Sequence, residues 1–86
     1  MPVVRYFASL RQITGVKEEI VPGVDLRTVL QAVIQNHPAL EPVLTSEDQV
    51  KVIITLNGQA LDLNAALEKP VSGNDMIALF PPIGGG

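Results

Sequence analysis

Asp25-Leu26-Arg27-Thr28-Val29-Leu30-Gln31-Ala32-Val33-Ile34 is the stretch on which the architecture turns. Leu26, Val29, Leu30, Val33 and Ile34 recur at i, i+3, i+4, i+7 and i+8, which places them on one face of an α-helix. Asp25 precedes the first of them, and its carboxylate can accept a hydrogen bond from an unpaired backbone N–H in the first turn. Pro38 cannot continue the helix and disfavours helical backbone at His37. The spacing therefore predicts a helix near residues 26–36 with a single apolar stripe to bury. No other stretch shows a helical stripe of comparable length, so that stripe needs a sheet.

Strand signals flank the helix on both sides. Val3 to Ala8 is rich in β-branched and aromatic residues, and Lys17 to Val21 reads as a second strand ended by Pro22-Gly23. Ser9 to Gly15 between them reads as a connection, and the two strands as a hairpin. After the helix, residues 39–49 read as a loop with one short turn. Val50 to Leu56 is a third strand. Asn57-Gly58 suits a tight hairpin turn, with Gln59 to Leu61 as a short return strand. Asn64 to Leu67 fits one helical turn, and Ser72-Gly73-Asn74-Asp75 another turn. Met76 to Phe80 is the last strand, and Pro81-Pro82 ends it by removing two backbone donors. This order makes an α+β domain of two layers. It fits the β-grasp, or ubiquitin-like, fold: a mixed four- to five-stranded sheet with one main helix packed on one face. That fold implies that the first and last strands lie parallel at the sheet centre. The expected organisation is a domain at 1–80 and a flexible tail at 81–86.

Composition narrows the function. The chain has 86 residues and a formal net charge of -3. A domain this small buries only about 60–65% of the surface its unfolded chain exposes. With one Tyr and two Phe, the core is aliphatic. No cysteine is present, which removes disulfides, thiolate metal sites and cysteine nucleophiles. His37 alone cannot build a zinc site, so no metal site is expected. Scattered Lys and Arg do not make the basic stripe that nucleic acid requires. No apolar run is long enough for a membrane span and no signal pattern opens the chain, so the expected location is the cytoplasm.

Alternation across the strands predicts a free face. With Val4, Tyr6 and Ala8 toward the helix, Arg5 and Phe7 point away. Val52, Ile54 and Leu56 point inward, and Lys51, Ile53 and Thr55 outward. Ile77 and Leu79 point inward, and Met76, Ala78 and Phe80 outward. Phe7, Ile53, Met76, Ala78 and Phe80 are then expected as an exposed apolar patch near Arg5 and Lys51. Contiguous patches of this kind mark binding surfaces.

The chain ends in Phe80-Pro81-Pro82-Ile83-Gly84-Gly85-Gly86. Two prolines stiffen the exit from the sheet. Six extended residues reach at most roughly 20 Å, and the glycines allow close approach to another protein's backbone. This terminus resembles that of the small subunit of molybdopterin synthase, within the MoaD/ThiS family of sulfur carriers. Tyr6-Phe7-Ala8 followed by Arg11 and Gly15, the Asn57-Gly58 turn, and Gly73 and Asp75 before the last strand are similar to the family's pattern, although Asn74 intervenes in its Gly-Asp turn. The resemblance implies that the Gly86 carboxylate is adenylated by a ubiquitin-activating-type, MoeB-like adenylyltransferase using ATP and then converted to a thiocarboxylate. Pro81, Pro82, Ile83, Gly84 and Gly85 would thread the tail into a larger, MoaE-like subunit. There sulfur would pass to cyclic pyranopterin monophosphate. Phe7, Ile53, Met76 and Phe80 would bind the partner. The carrier would bind no cofactor itself, would not be catalytic alone, would be a monomer when free, and would form a heterotetramer with the large subunit.

The tail contains no base, nucleophile or metal ligand, so a partner must supply the chemistry. His37 suits the helix C-terminus as a cation, and Glu18-Glu19 reads as solvated surface. Like that pair, Glu47-Asp48 could suggest metal binding or paired-carboxylate catalysis, and opposite-facing strand neighbours argue against it only for Glu18-Glu19. Three other functions stay open: a carrier for thiamine thiazole, cysteine or tRNA thiolation; a ubiquitin-like modifier of lysines; and an interaction domain with an inert tail.

Overall fold

The stripe at 26–34 is covered by a five-stranded sheet. The computed structural model describes residues 1–46, 49–50, 52–61 and 67–81. In chain order the elements are β1 (Val3–Tyr6), α1 (Ser9–Thr14), β2 (Glu18–Ile20), α2 (Leu26–Asn36), a 3₁₀ turn (Pro38–Leu40), α3 (Glu41–Leu44), β3 (Thr45–Ser46), β4 (Gln49–Val50), β5 (Ile53–Leu56), β6 (Gln59–Ala60) and β7 (Met76–Phe80). The sheet order is β2-β1-β7-β5-β6, and β3 and β4 form a separate two-stranded ribbon. β1 and β7 run parallel at the centre, with Val4 opposite Ile77 and Tyr6 opposite Leu79. The other pairings are antiparallel. This is the β-grasp arrangement.

α2 starts where the sequence places it. The Asp25 carboxylate accepts from the Thr28 N–H at 2.8 Å, and the Thr28 hydroxyl accepts from the Asp25 N–H at 3.2 Å. Two donors that the helix cannot satisfy itself are thereby paired. The helix stops at His37, whose N–H donates to the Val33 carbonyl at 2.9 Å. Leu26, Val29, Leu30 and Val33 are buried over Val4, Tyr6, Ile54, Leu56, Ile77 and Leu79 in one core, with Ile34 packed at its margin. The chain enters α2 through Gly23. A Cβ there would lie 2.4 Å from Val29 Cγ2 and 2.9 Å from the Val29 backbone nitrogen, so only glycine fits this approach. At the β5–β6 turn, Asn57 and Gly58 have φ of 52° and 88°, as a type I′ hairpin requires.

Several local expectations are corrected. Ser9 to Gly15 is not a plain connection: α1 fills most of it and drives Leu10 into the core. β1 and β2 do pair antiparallel, but with this helix between them. Residues 39–46 hold the 3₁₀ turn, α3 and β3 rather than a loop, because Leu40 and Leu44 are fully buried and anchor the segment. The expected strand 50–56 is divided. Val50 pairs in the ribbon and β5 begins at Ile53, after a bend at Val52. The helical turn expected at 64–67 falls mostly outside the described residues, as do Lys51, Glu47 and Asp48.

Candidate functional site: the outer sheet face and the root of the tail

Side chains on the outer face fall into rows set by the strand register. The middle row runs Glu18, Arg5, Ala78, Thr55, Ala60. Arg5 Nε donates to Glu18 Oε1 at 2.9 Å, so its charge is already paired. Ala78 was expected among the exposed residues; it is 8% exposed, because its methyl is shorter than the Arg5 and Thr55 side chains beside it. One end row holds Ile20, Val3 and Met76. Ile20, which alternation on the first and last strands alone does not reveal, is 63% exposed there.

The other end row holds Ile53 opposite Phe80, with Phe7 beside them. The Phe7 and Phe80 rings stack with centroids 4.5 Å apart and planes 13° from parallel. Three of the four expected partner-binding residues, Phe7, Phe80 and Ile53, therefore come together. Met76 does not join them: it lies four residues along β7, about 13 Å away at strand spacing. At the Phe80 end an open apolar groove of about 440 Å³ is lined by Ala8, Ile53, Phe80 and Pro81. Alternation had placed Ala8 toward the helix. The strand geometry ends at Tyr6, the backbone turns at Ala8, and Ala8 is exposed and lines the groove instead. Pro81 thus roots the tail and walls the groove. Pro82, Ile83, Gly84, Gly85 and Gly86 lie outside the described residues.

Residues 4–86 match the family model described as the ThiS family. The chain belongs to the ThiS family. This ThiS-family chain is 31% identical over 88 residues to small archaeal modifier protein 1 of Haloferax volcanii, an alignment covering 95% of this chain and 97% of that protein. It superposes on the solution structure of small archaeal modifier protein 1 from Methanosarcina acetivorans with a TM-score of 0.84 at 28% identity, over 99% of this chain and 95% of that one. It also superposes on a chain in the complex of subunits 1 and 2 of molybdopterin-converting factor from Helicobacter pylori. There the TM-score is 0.65 at 27% identity, over 99% of this chain and 97% of that one. These likenesses place the ThiS-family chain among ubiquitin-like sulfur carriers and modifiers.

A second polar constellation lies on the inner face, away from the tail. Glu19 was expected in solvent. It points inward instead, and its Oε2 accepts from the Tyr6 hydroxyl at 2.5 Å and from His37 Nε2 at 2.6 Å. Tyr6 meets the His37 ring edge-on at 5.7 Å. Burial first, and then the hydrogen bond to Glu19 and its charge, push the Tyr6 phenol well above its ordinary value, so it stays a neutral donor. His37 therefore ends α2 and also ties it to β2. Among the described residues no cluster of His, Cys, Asp and Glu could hold a metal ion, and no helix is long and apolar enough to cross a membrane.

Proposed function

We propose that this chain is a sulfur carrier for molybdopterin synthesis. The observation that carries the reading is the sequence Pro81-Pro82-Ile83-Gly84-Gly85-Gly86, which follows directly on the central strand β7 of a ThiS-family chain, where Phe80 and Pro81 line an apolar groove. The reading takes Gly86 as the carboxyl terminus of the working protein. A carboxylate is a poor electrophile until its oxygen becomes a good leaving group. An activating enzyme of the ubiquitin-activating, MoeB-like type supplies that through ATP: the carboxylate attacks the α-phosphorus, and pyrophosphate leaves. Hydrosulfide released by a sulfur donor then attacks the acyl carbon and AMP leaves, giving the thiocarboxylate. The charged tail enters a large, MoaE-like subunit, which supplies the positioned groups that move sulfur to cyclic pyranopterin monophosphate. ATP is the partner's substrate, and the carrier itself holds no cofactor. The Helicobacter pylori complex, in which a similar chain meets a second subunit, supports a partner protein. A cytoplasmic site of action and a heterotetramer with the large subunit go with this reading.

One observation favours a second reading. The Haloferax volcanii relative is a modifier protein, and a lysine ε-amine could attack the same acyl adenylate. Deleting Gly86 tests the shared mechanism. Gly85 would then be the terminus, with its carboxylate about 3.5 Å short, and misplacement of even ~1 Å can cost on the order of a hundredfold in rate. The expected result is loss of thiocarboxylate by intact mass after incubation with the activating enzyme, ATP and a sulfur donor. Normal sulfur transfer by the shortened chain would sink the proposal. Assaying molybdopterin and lysine conjugates side by side separates carrier from modifier.

A further inference from the structure

Two non-glycine residues among those described have positive φ, Ala8 and Asn57. Asn57 sits in a type I′ turn, where asparagine is at home. Ala8 has no such excuse. Its φ of 52° and ψ of −128° are those of the first central residue of a type II′ turn, a position dominated by glycine. The Leu10 N–H donates to the Phe7 carbonyl at 3.1 Å and closes that turn. The Arg11 N–H donates to the Ala8 carbonyl at 3.1 Å and starts α1, with no side chain capping the helix. A glycine would make the same turn without the clash between Cβ and backbone, so the methyl is held under strain.

Strain of this kind points to what the side chain touches. Ala8 lines the groove with Ile53, Phe80 and Pro81, and its methyl is the only side chain it can offer there. Pro81 is also the first residue of the tail, so a protein that takes up the tail must bring its own surface against this groove. The four lining residues among those described are all apolar, which favours an apolar side chain over a charged one.

We infer that Ala8 is a partner-binding residue: its strained turn holds a methyl as one wall of the groove at the root of the tail, against an apolar side chain of the activating enzyme that takes up the tail. This rests on the carrier reading above. Removing the methyl leaves a void beside the inserted side chain and forfeits its contacts.

The test is Ala8→Gly in the full chain, measuring melting temperature and the Kd for the activating enzyme. The turn should still form, because glycine prefers it. The expected result is a melting temperature raised by roughly 4–8 °C, the response of a domain this size to modest relief of strain. Affinity should fall about four- to tenfold, the loss of one buried methyl plus the void. A residue with a merely structural role would not weaken binding while stabilising the fold. A melting temperature that stays level or falls overturns the strain. A higher melting temperature with unchanged or tighter Kd overturns the groove wall. If the wild-type chain itself fails to bind the activating enzyme, the carrier reading fails and takes this inference with it. That failure shows in the wild-type arm, apart from any effect of the variant.

Discussion

Asp75 illustrates how a single carboxylate can organise the approach to the functional strand. Asn57 Nδ2 donates to its Oδ1 at 2.9 Å and the Ser72 N–H to its Oδ2 at 2.8 Å, while Asn57 Oδ1 accepts from the Met76 N–H at 2.9 Å. The β5–β6 turn is thereby fastened to the start of β7. These bonds, the Asn57 side chain foremost and then the Ser72 backbone, hold the Asp75 carboxyl below its ordinary value. Asp25 is lowered in the same direction, by the Thr28 backbone and then its side chain. A group depressed in the folded state adds stability above its unfolded pKa, and that stability is lost as pH falls through the folded value. Asp75→Asn should therefore be less stable than wild type at neutral pH. Between about pH 5 and pH 2 its urea midpoint should fall less steeply. Parallel midpoint–pH curves for the two proteins would show that Asp75 adds nothing through its charge.

Among the elements, α3 and the turn before it do more than connect. Leu40 and Leu44 are fully buried in the same core as α2. Both lie in a stretch with two prolines and mixed polarity, where no period-3.6 run is long enough to read. Leu44→Ala should cost about 2–5 kcal/mol, the range for a buried leucine whose cavity only partly collapses. Chemical denaturation with an unchanged m-value checks it; a change below about 0.5 kcal/mol would mean that the segment does not anchor to the core. α1 escaped notice for a related reason. It has six residues, one buried apolar side chain and no capping side chain, so it carries almost no pattern of its own.

For the whole molecule, the two faces of one sheet divide the work between stability and recognition. The inner face is spent on α2. The outer face has no helix over it among the described residues, and its Phe7–Phe80 stack stands next to the tail root. Phe7→Asp and Phe80→Asp should leave the circular-dichroism spectrum intact and weaken binding to the activating enzyme or large subunit, since a buried interface aromatic can contribute ~2 kcal/mol or more. Met76→Asp, at the far end row, should matter less if docking is centred on the tail root. Equal affinity for the Phe7/Phe80 double variant and wild type would remove this face from the mechanism.

The helix at 26–36, its Asp25 cap, the Asn57-Gly58 turn and the last strand were legible in the sequence because each depends on contacts only a few residues apart. Val4, Tyr6, Leu26, Val29, Leu30, Val33, Ile54, Leu56, Ile77 and Leu79, assigned inward by helical and strand periodicity, are all buried for the same reason. Alternation also assigned Phe7, Ile53 and Phe80 to one face. Tertiary structure alone decided which of the expected patch residues meet. Register puts Phe80 between Phe7 and Ile53, carries Met76 away and hides Ala78 between longer neighbours. It decided Glu19 as well, since Tyr6 and His37 reach that carboxylate from other elements. Ala8 shows the limit most plainly. Two-residue alternation holds only while the backbone stays extended, and the bend at Ala8 carries Leu10 into the core, a long-range gain that no local pattern records.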